Sequence, residues 1–329
     1  MIQLWKEKNQ TFGRDFILSG LLDPNHYGLL LLTLILSMFM VAIMGNTFLV
    51  LLIRIDIHLH TPMYFLLSHL SFMDILHISN IIPKMASNYI SGSKSITFAG
   101  CGFQSFLYSS CVGAECLILT VMSYDRYVAI CHPLRYPILM SHRISVIMAA
   151  GCWLGGAINS TIHITYVLHL PFCGTRVIDH FFCEVPALLK LSCSDTSQYE
   201  GGLNVSAVIF LLIPLSIILA SYGQILRTVL HIKSMEAQKK AFSTCSSHLA
   251  VVTIYYGSFI FTYMRPRSYH TPGQDKVLAI TYTILTPMLN PIIYSFRNKD
   301  VLCAVRKVLG NTLIHRNENS IKIRLNAHG

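Results

Sequence analysis

Residues 24–53 read PNHYGLLLLTLILSMFMVAIMGNTFLVLLI and contain no Asp, Glu, Lys or Arg. A helix rises about 1.5 Å per residue, so about 20 apolar residues cross the hydrocarbon core of a bilayer. The stretch is long enough for one crossing, and it lacks the apolar–polar alternation of a half-buried strand. It therefore predicts a membrane-spanning helix.

Six further stretches of the same kind follow, at residues 57–83, 95–124, 144–175, 201–226, 241–264 and 277–296. Four of them are free of charged side chains, and the other two each contain a single acid, Asp74 or Glu115. No internal repeat relates the two halves of the chain, as it would in many transporters. The sequence predicts an all-α membrane protein, a bundle of seven transmembrane helices, and we number these spans one to seven.

The composition supports a membrane protein over a soluble one. Of the 329 residues, 53% are hydrophobic and only 12% are charged, against about 25% charged in ordinary globular proteins. Mean hydropathy is +0.53. These values exclude a disordered chain, a coiled coil and a collagen-like fibre. The net charge of +10 could suggest a nucleic-acid partner, but the charges are too sparse for a surface that tracks phosphates.

The distribution of Lys and Arg predicts the orientation. With the N-terminus outside, the inner segments carry 15 of the 25 basic residues against five acids, and the outer segments carry ten against eight. The basic excess then faces the cytosol and its anionic lipids, as the positive-inside rule requires. This location explains the net positive charge without a nucleic-acid partner. We predict an extracellular N-terminus at residues 1–25, a seven-helix transmembrane domain at 26–296 and a cytoplasmic amphipathic helix and tail at 297–329.

A glycosylation triplet and the positions of four cysteines fit this orientation. Asn9-Gln10-Thr11 is a glycosylation acceptor on the outer side, whereas the similar triplet at Asn159 lies inside span four. Residues 1–15 lack the apolar core of a cleavable signal peptide, so span one is expected to serve as its own insertion signal. Four cysteines fall on the outer side, where disulfides persist, and they allow three connectivities. They are Cys101, Cys173, Cys183 and Cys193.

Two motifs lie at the inner ends of spans three and seven. Asp125-Arg126-Tyr127 ends span three, and Arg126 could simply anchor the helix at the lipid headgroups. Cys101, 25 residues upstream and therefore about 38 Å away along a helix, places a cysteine at the outer end of the same span. Asn290-Pro291-x-x-Tyr294 in span seven combines a proline kink with a freed carbonyl, and a purely structural kink is the alternative reading.

Four stretches together resemble the rhodopsin-like G-protein-coupled receptors and, more narrowly, the vertebrate odorant receptors. They are Pro62-Met63-Tyr64-Phe65-Leu66, residues 122–137, residues 240–249 (KAFSTCSSHL) and residues 287–298. The resemblance covers residues 12–310 and departs from the family at Ser123, where alanine is usual. The tail beyond Gly310 is longer than the family usually shows.

The resemblance implies disulfides Cys101–Cys183 and Cys173–Cys193, which tie the outer loop over span three. His180, Phe181, Phe182 and Glu184 would then form a lid around the pinned cysteine. It also implies a set of residues for activation and G-protein coupling. This set comprises Asp125, Arg126, Tyr127, Tyr222, Lys240, His248, Asn290, Pro291 and Tyr294. Arg126 would be released from Asp125 when span six moves, Tyr222 and Tyr294 would stabilise the open arrangement, and His248 and Lys240 are candidates for closed-state contacts.

Asp74 and Glu115 are acids in the middle of the membrane, where a charge is costly and is by default a functional hypothesis. With Asn46 and Asn290 they could form a polar cluster. Related receptors hold a sodium ion beside the acid equivalent to Asp74, and oxygen ligands suit such a cation. The alternative is that one acid is protonated and the pair shares a hydrogen bond.

The outer half of the bundle offers apolar and aromatic side chains with a few hydroxyls, which is typical of a small-molecule pocket. Each aromatic residue there could also serve core packing. Because the stripe contains no acid or base above Glu115, the sequence favours a small apolar volatile and argues against a charged amine. The predicted ligand residues are Ser105, Tyr108, Ser109, Val112, Gly113, Ser206, Ile209, Phe210, Tyr256, Phe259, Ile260, Tyr263, Ile280 and Thr283.

No catalytic motif is present: the sequence lacks His-Glu-x-x-His, Gly-x-Ser-x-Gly and a Walker loop. Metal-assisted ligand binding through Cys111 and Cys116 is conceivable, but isolated residues of this kind more often serve packing. After span seven, Phe296, Val301, Leu302, Val305, Val308 and Leu309 share one helical face, which predicts an amphipathic helix on the inner leaflet. Cys303 beside it is a candidate for palmitoylation.

These observations predict an odorant receptor without catalytic activity or firm cofactor, which binds a small volatile in the outer half of the bundle. The resemblance implies a stimulatory heterotrimeric G protein that raises cAMP, and location in the plasma membrane. A channel or transporter would need charges along a pathway, and here only Asp74 and Glu115 exist. A lipid or peptide receptor would share the general motifs but not the stretch at 240–249.

Overall fold

The computed structural model describes residues 15–22, 26–263, 272–298 and 300–307. The glycosylation candidate Asn9, the residues beyond 307 and the side chains of Lys240, Tyr263 and Phe296 lie outside this description. Spans one to four are single helices, His26–Ile55, Pro62–Ser91, Phe98–Cys131 and His142–Leu168. Span five runs through Ser197–Leu230, span six is Met235–Tyr263, and span seven runs through Gly273–Ser295.

Within the described residues, six helices are long and apolar enough to cross a membrane, and they are spans one to five and seven. Span six is a helix of 29 residues that packs against spans three, five and seven. Its inner half is rich in hydroxyl and basic residues, which lowers its mean hydropathy below that of the others. The prediction of a helical membrane bundle is confirmed, and the large apolar side chains exposed on its outside, such as Leu30 and Leu154, suit a lipid environment.

Spans five and seven are not continuous α-helices. Span five changes from α-helix at Ser197–Ala207 to a π turn at Val208–Leu212 and back at Ile213–Leu230. Span seven does the same with Pro272–Ile280, Thr281–Leu285 and Thr286–Arg297. In both spans a proline, Pro214 or Pro287, follows the π turn at the start of the next helix. A proline has no N–H, so the hydrogen-bond ladder must be interrupted near it, and the π turn accommodates the interruption.

Small residues allow spans three and four to approach closely. A Cβ atom at Gly156 would lie 2.8 Å from the backbone nitrogen of Ala114 and closer still to the carbonyl oxygen of Ser110. Real Cβ atoms do not tolerate such distances, so only glycine fits at this position. The close packing of backbones through small residues is a general device in membrane bundles.

A small three-stranded sheet covers the outer end of the bundle, and the all-helical prediction did not include it. Strand β1 (Phe16–Leu18) pairs antiparallel with β2 (Ser95–Ile96) and parallel with β3 (Val177–Ile178). Strands of two or three residues drawn from three separate loops show no periodicity that a sequence could reveal. The sheet joins the N-terminal segment to the loops that follow spans two and four.

Short helical segments connect the spans on the inner side. They are the 3₁₀ turns Ile57–Leu59 and Pro133–Arg135 and the single helical turn Tyr136–Leu139. After span seven, Asn298 accepts hydrogen bonds from the backbone nitrogens of Asp300 and Val301 and so begins a helix over 300–307. Val301 is buried, whereas Arg306 and Lys307 are exposed. The described part of this segment is therefore amphipathic, as predicted.

Candidate functional site

The outer loop between spans four and five is pinned to span three. Cys101 is bonded to Cys183 with a Cα–Cα distance of 5.4 Å, and Cys173 is bonded to Cys193 at 5.7 Å. This is the pairing that the resemblance implies. The Ser105 hydroxyl donates to the carbonyl oxygen of Cys183 at 2.8 Å, and the backbone nitrogen of Cys183 donates to Gln104 at 2.8 Å. The disulfide and these two hydrogen bonds fix the loop in one position over the bundle.

A second set of contacts holds the same loop from the outer edge. The Lys276 ammonium donates to Asp179 at 2.7 Å and to the Ser19 hydroxyl at 3.0 Å, and Ser19 donates to Asp179 at 2.8 Å. The hydrogen bond from Lys276, with that from Ser19, lowers the pKa of Asp179. Span seven, the N-terminal segment and the loop are therefore linked through one carboxylate.

The loop contributes an aromatic lid. The His180 ring stacks on Phe181 with centroids 4.7 Å apart, and its centroid lies 4.6 Å from that of Phe182. Burial, together with the positive charge of Lys276, lowers the pKa of His180 to about 4. His180 is therefore neutral at pH 7, and its 3.8 Å contact with Glu184 is not an ion pair there.

An aromatic cluster lies beneath this lid, in the outer half of the bundle. Tyr108 of span three packs against Phe182 at 4.9 Å and faces Tyr282 of span seven at 6.4 Å between ring centroids. Phe259 of span six stacks on Tyr282 at 5.1 Å and contacts Tyr255 at 4.8 Å. Spans three, six and seven and the lid thus meet around buried aromatic rings. Ligand residues Tyr108 and Phe259 of the predicted set belong to this cluster.

The polar groups of several predicted ligand residues form hydrogen bonds with other residues of the protein. The Tyr256 hydroxyl donates to the carbonyl oxygen of Cys116 at 3.1 Å, and the carbonyl oxygen of Val112 accepts from Tyr255 at 2.8 Å. Thr283 is buried, and its hydroxyl donates to the carbonyl oxygen of Ala279 in its own helix. Ser105 holds the lid, as described above.

Ser206 of span five belongs to a polar chain between spans four and five. The Ser206 hydroxyl donates to Asn159 at 3.1 Å and lies 2.7 Å from Nε2 of His163, whose Nδ1 lies 2.8 Å from the Tyr199 hydroxyl. If Ser206 gives its proton to Asn159, Nε2 of His163 must carry a proton and Nδ1 must accept from Tyr199. A neutral imidazole satisfies every member of the chain.

The remaining predicted ligand residues differ in position. Gly113 packs against Gly156, and a Cβ there would lie 3.6 Å from the ring of Phe210. Ile209 is 48% exposed on the outside of the bundle. The half-buried positions are Ser109, Ile260 and Ile280. The structure therefore assembles part of the predicted stripe under the lid, while Gly113 lies at a helix–helix contact and Ile209 faces outward.

Glu184 reaches the predicted ligand stripe although the sequence reasoning placed no acid there. It is buried, and its carboxylate accepts from the hydroxyls of Tyr108 and Tyr282, each at 3.4 Å. The helical stripe itself contains no acid above Glu115, but the lid brings the carboxylate of Glu184 into contact with it. The sequence did offer one indication of this contact, since Glu184 directly follows Cys183. A residue next to a cysteine that is bonded to the outer end of span three must itself lie at the outer end of the bundle.

The central acids lie in a second buried cluster. Asn290 donates to Asp74 at 2.9 Å, and Nδ1 of His77 lies 3.5 Å from Glu115. Asn46 donates to the carbonyl oxygens of Ala42 at 3.0 Å and Pro287 at 2.8 Å. His77 was not among the predicted residues.

Three oxygens of this cluster are buried without a hydrogen-bond donor among the described residues: Oδ1 of Asp74, Oε1 of Glu115 and Oδ1 of Asn46. Oxygen donors without partners in a dry interior fit a hard cation. The described residues contain no group of three or more His, Cys, Asp or Glu side chains placed to hold a metal ion. A site that mixes two carboxylates with amide oxygens does not need such a group.

At the inner end of the bundle, Asp125 is buried and held from two sides. Its Oδ1 accepts from the Tyr136 hydroxyl at 2.8 Å, and its Oδ2 lies 3.8 Å from Nε of Arg126. Tyr127 is directed away from this pair, and its hydroxyl lies 3.0 Å from Nε2 of His132. The pairing of Asp125 with Tyr136 ties span three to the following short helix.

Spans five and six are joined nearby through Tyr222 and His248. The Tyr222 hydroxyl lies 2.7 Å from Nδ1 of His248, and both residues are buried. The Tyr294 hydroxyl of span seven is buried without a hydrogen-bond partner in the part of the chain that the structure describes. A cavity of about 270 Å³ with apolar walls opens between spans five and six at this level, next to Tyr222 and Cys245.

These features define a helical membrane bundle with a disulfide-pinned outer lid and an Asp–Arg pair at its inner end. Residues 35–312 match the family model for olfactory receptors. The chain is 63% identical to human olfactory receptor 2AJ1 over 95% of each chain. It is 56% identical to human olfactory receptor 2L3, over 91% of this chain and 96% of the relative.

The chain belongs to the olfactory receptor family. It is a membrane receptor and not an enzyme, as the sequence predicted.

Proposed function

We propose that this protein is an odorant receptor that binds a small volatile in the outer half of the bundle and activates a stimulatory heterotrimeric G protein, raising cAMP. The observation that carries the ligand position is the aromatic cluster of Tyr108, Phe182, Phe259 and Tyr282, in which three spans meet directly beneath the pinned lid. Aromatic walls with a few polar groups suit a small ligand.

We place the N-terminus outside and the C-terminus in the cytosol of the plasma membrane. Two structural features support this orientation. Both disulfides lie at the end of the bundle that carries the sheet and lid, and disulfides persist in oxidising surroundings. Basic side chains such as Arg143, Lys233 and Arg306 are exposed at the other end, where they would face anionic lipid.

Activation is proposed to work through a shift between two arrangements of span six. In the arrangement described here, Arg126 lies beside Asp125, and Tyr222 contacts His248. An agonist that favours outward movement of span six would break the Tyr222–His248 contact and make Arg126 available to the G protein. Tyr222 and Tyr294 would then stabilise the open arrangement, and Asn290 and Pro291 would provide the hinge region in span seven.

A sodium ion at Asp74 and Glu115, with Asn46 and Asn290, is a further part of the proposal. It is supported by three oxygens of this cluster that have no hydrogen-bond donor within the described part of the chain, one of which, Oε1 of Glu115, lies 3.5 Å from Nδ1 of His77. The ion would supply a positive charge between two carboxylates that burial forces together. Asn290 would orient Asp74 through its 2.9 Å hydrogen bond. His77 would lie at the edge of the site, next to Glu115.

The test is agonist-dependent nucleotide exchange. A panel of volatiles is first screened in cells with a cAMP reporter, and active compounds are then tested on purified receptor with a purified stimulatory G protein. We expect agonist to accelerate nucleotide exchange, and Tyr108→Ala or Phe259→Ala to weaken the response at matched surface level. A receptor that responds to no volatile, or that raises cAMP without accelerating exchange, would contradict the proposal.

A further inference from the structure

The cavity between the inner halves of spans five and six belongs to neither the outer site nor the cluster of central acids. Its volume is about 270 Å³. The buried side chains of Ile225, Val229 and Cys245 line its deeper part. An apolar cavity of about 150 Å³ stays dry and can hold benzene, so this larger one has room for a piece of hydrocarbon chain and offers nothing to water.

The cavity opens on the outside of the bundle. Gly223, Leu226 and Phe242 line it and are exposed, the last two at 47% each. Span five is long and apolar enough to cross a membrane, so its exposed face meets lipid. A Cβ atom at Gly223 would have no other atom within 4 Å, so the glycine leaves open space at the entrance.

Basic side chains lie between this entrance and the inner end of the bundle. Arg227 follows Gly223 by one helical turn on the same face, about 6 Å nearer the inner end, and it is exposed. Residues 227–240 contain four basic residues against one acid, and Lys233 and Lys239 among them are exposed. In the orientation proposed above they face the inner leaflet, which is rich in anionic lipids.

We propose that this cavity binds the acyl chain of an anionic phospholipid, whose phosphate group is held by Arg227. The apolar walls take the chain, and the guanidinium can donate two parallel hydrogen bonds to the phosphate. A zwitterionic lipid offers the same chain and phosphate, but its headgroup also carries a cation, which the basic segment repels. The choice of leaflet rests on the proposed orientation, whereas binding itself requires neither an odorant nor a G protein.

Photolabelling in nanodiscs tests the site. Purified receptor is reconstituted in phosphatidylcholine with a small fraction of phosphatidylserine that carries a diazirine near the end of one acyl chain. A phosphatidylcholine probe with the same chain is the comparison. Mass spectrometry gives the labelling of residues 222–229 and 241–249. Phe48 and Leu51, which are exposed in the inner half of span one, give the level that bulk lipid produces.

In the native receptor, the phosphatidylserine probe should label the cavity segments above the level of span one. It should also label them about fivefold more than the phosphatidylcholine probe, which is the effect of one basic residue near the membrane surface. Arg227→Gln should remove this preference. Arg143→Gln, which alters an exposed arginine at the inner end of span four, should keep it.

A second variant closes the entrance. Gly223→Leu places a side chain in the open space and should lower the labelling by both probes to the level of span one. Gly151→Leu is the matched control, because Gly151 is an exposed glycine of span four whose Cβ would also have no atom within 4 Å. This control should keep the native labelling of the cavity segments.

Several outcomes would overturn the proposal and leave the odorant receptor function untouched. Labelling of the native cavity segments at the level of span one would show that no lipid chain enters. Equal labelling by the two probes, or an unchanged preference in Arg227→Gln, would exclude the anionic headgroup. Displacement of the probe by cholesterol or by limonene, but not by unlabelled phosphatidylserine, would assign the cavity to a sterol or to an apolar volatile. If Gly223→Leu does not fold, the comparison of Arg227→Gln with Arg143→Gln still decides.

Discussion

The side-chain amide of Asn46 in span one donates to the carbonyl oxygen of Pro287 in span seven at 2.8 Å. In an α-helix this carbonyl would accept from the residue four positions later, which is Pro291 and has no N–H. Asn46 supplies the missing donor across the helix interface. The approach is close because Gly45 faces the proline: a Cβ there would lie 3.0 Å from Cγ of Pro291.

The first prediction follows from this relationship. Asn46→Leu should leave the Pro287 carbonyl buried without a donor and lower the free energy of unfolding by about 1–2 kcal/mol. Thermal denaturation of purified receptor in sodium-free detergent solution measures the change. Ser37→Ala in the same span is the control, since the Ser37 hydroxyl is exposed and donates to the carbonyl oxygen of Thr33 in its own helix. Equal stability of the two variants would show that the bond is dispensable.

The helical part of the fold could be predicted because its cause is local. Each span is a run of apolar residues long enough to cross a membrane, and the backbone has no alternative there to internal hydrogen bonding. The relation between Asn46 and Pro287 was not visible, because it joins residues 241 positions apart. The resemblance supplied the two disulfides, which spacing alone left open among three pairings.

The predicted ligand residues show where helical spacing stops being informative. Spacing fixes the angle between two residues on one helix, but it does not say which neighbour the whole face meets. Gly113 therefore shares a stripe with Tyr108 in sequence and yet packs on Gly156 of span four. Ile209 faces outward for the same reason, with the π turn at Val208–Leu212 adding a rotation that the regular period does not contain. Glu184 was assigned to the lid, but its contacts with Tyr108 and Tyr282 were not predicted, because helical spacing does not apply to a loop residue.

The second prediction concerns the lid. Cys101→Ser or Cys183→Ser should abolish surface expression or response, since the two residues are 82 positions apart. A crosslink over a loop of that length stabilises a fold by about 4–5 kcal/mol in the chain-entropy model. Cys303→Ser is the control, because Cys303 is an exposed free cysteine after span seven. Surface labelling and the cAMP response are measured together, and equal loss in all three variants would refute the structural role of the disulfide.

The third prediction concerns the inner face. Arg126→Ala should block agonist-driven nucleotide exchange while the receptor still reaches the surface, because the guanidinium is proposed to contact the G protein. Arg143→Ala removes an exposed arginine near the same end and should signal normally. Exchange by purified G protein is the readout. Normal signalling by Arg126→Ala at native surface level would show that this arginine serves only to anchor the helix at the lipid headgroups.

The fourth prediction is a pH dependence of lid stability. The pKa of His180 is lowered from 6.5 to about 4 in the folded protein. As pH falls below about 6.5, the unfolded chain binds a proton that the folded lid does not bind, so stability decreases. Between about pH 7 and pH 5.5 the loss should be about 1 kcal/mol, and it should level off below about pH 4.

Thermal denaturation over this pH range measures the effect. His180→Asn removes the titrating group and should reduce the change of stability with pH, whatever the stability of the variant at pH 7. His169→Asn removes an exposed histidine of the same outer side and should leave the slope as it is. An unchanged slope in His180→Asn would show that another group titrates.

The fifth prediction concerns the central acids, Asp74 and Glu115. Both are buried, and two carboxylates in a low dielectric cannot both stay ionised without a counter-charge. If sodium supplies that charge, Asp74→Asn and Glu115→Gln should each weaken the sodium effect and shift basal activity. The amides keep hydrogen-bonding capacity and lose only the charge, so folding should largely survive.

Basal and agonist-driven cAMP are measured with sodium present or replaced by a bulky organic cation, for the native receptor and both variants at matched surface level. We expect the native receptor to respond to the replacement and the two variants to respond less. A matched variant is Asp56→Asn, which alters an acid outside the cluster, in the turn after span one, where it pairs with His58 at 2.9 Å; it should keep the native sodium effect. If the native receptor shows no sodium effect, Asp74 and Glu115 share a proton instead, and the cluster is held by hydrogen bonds alone.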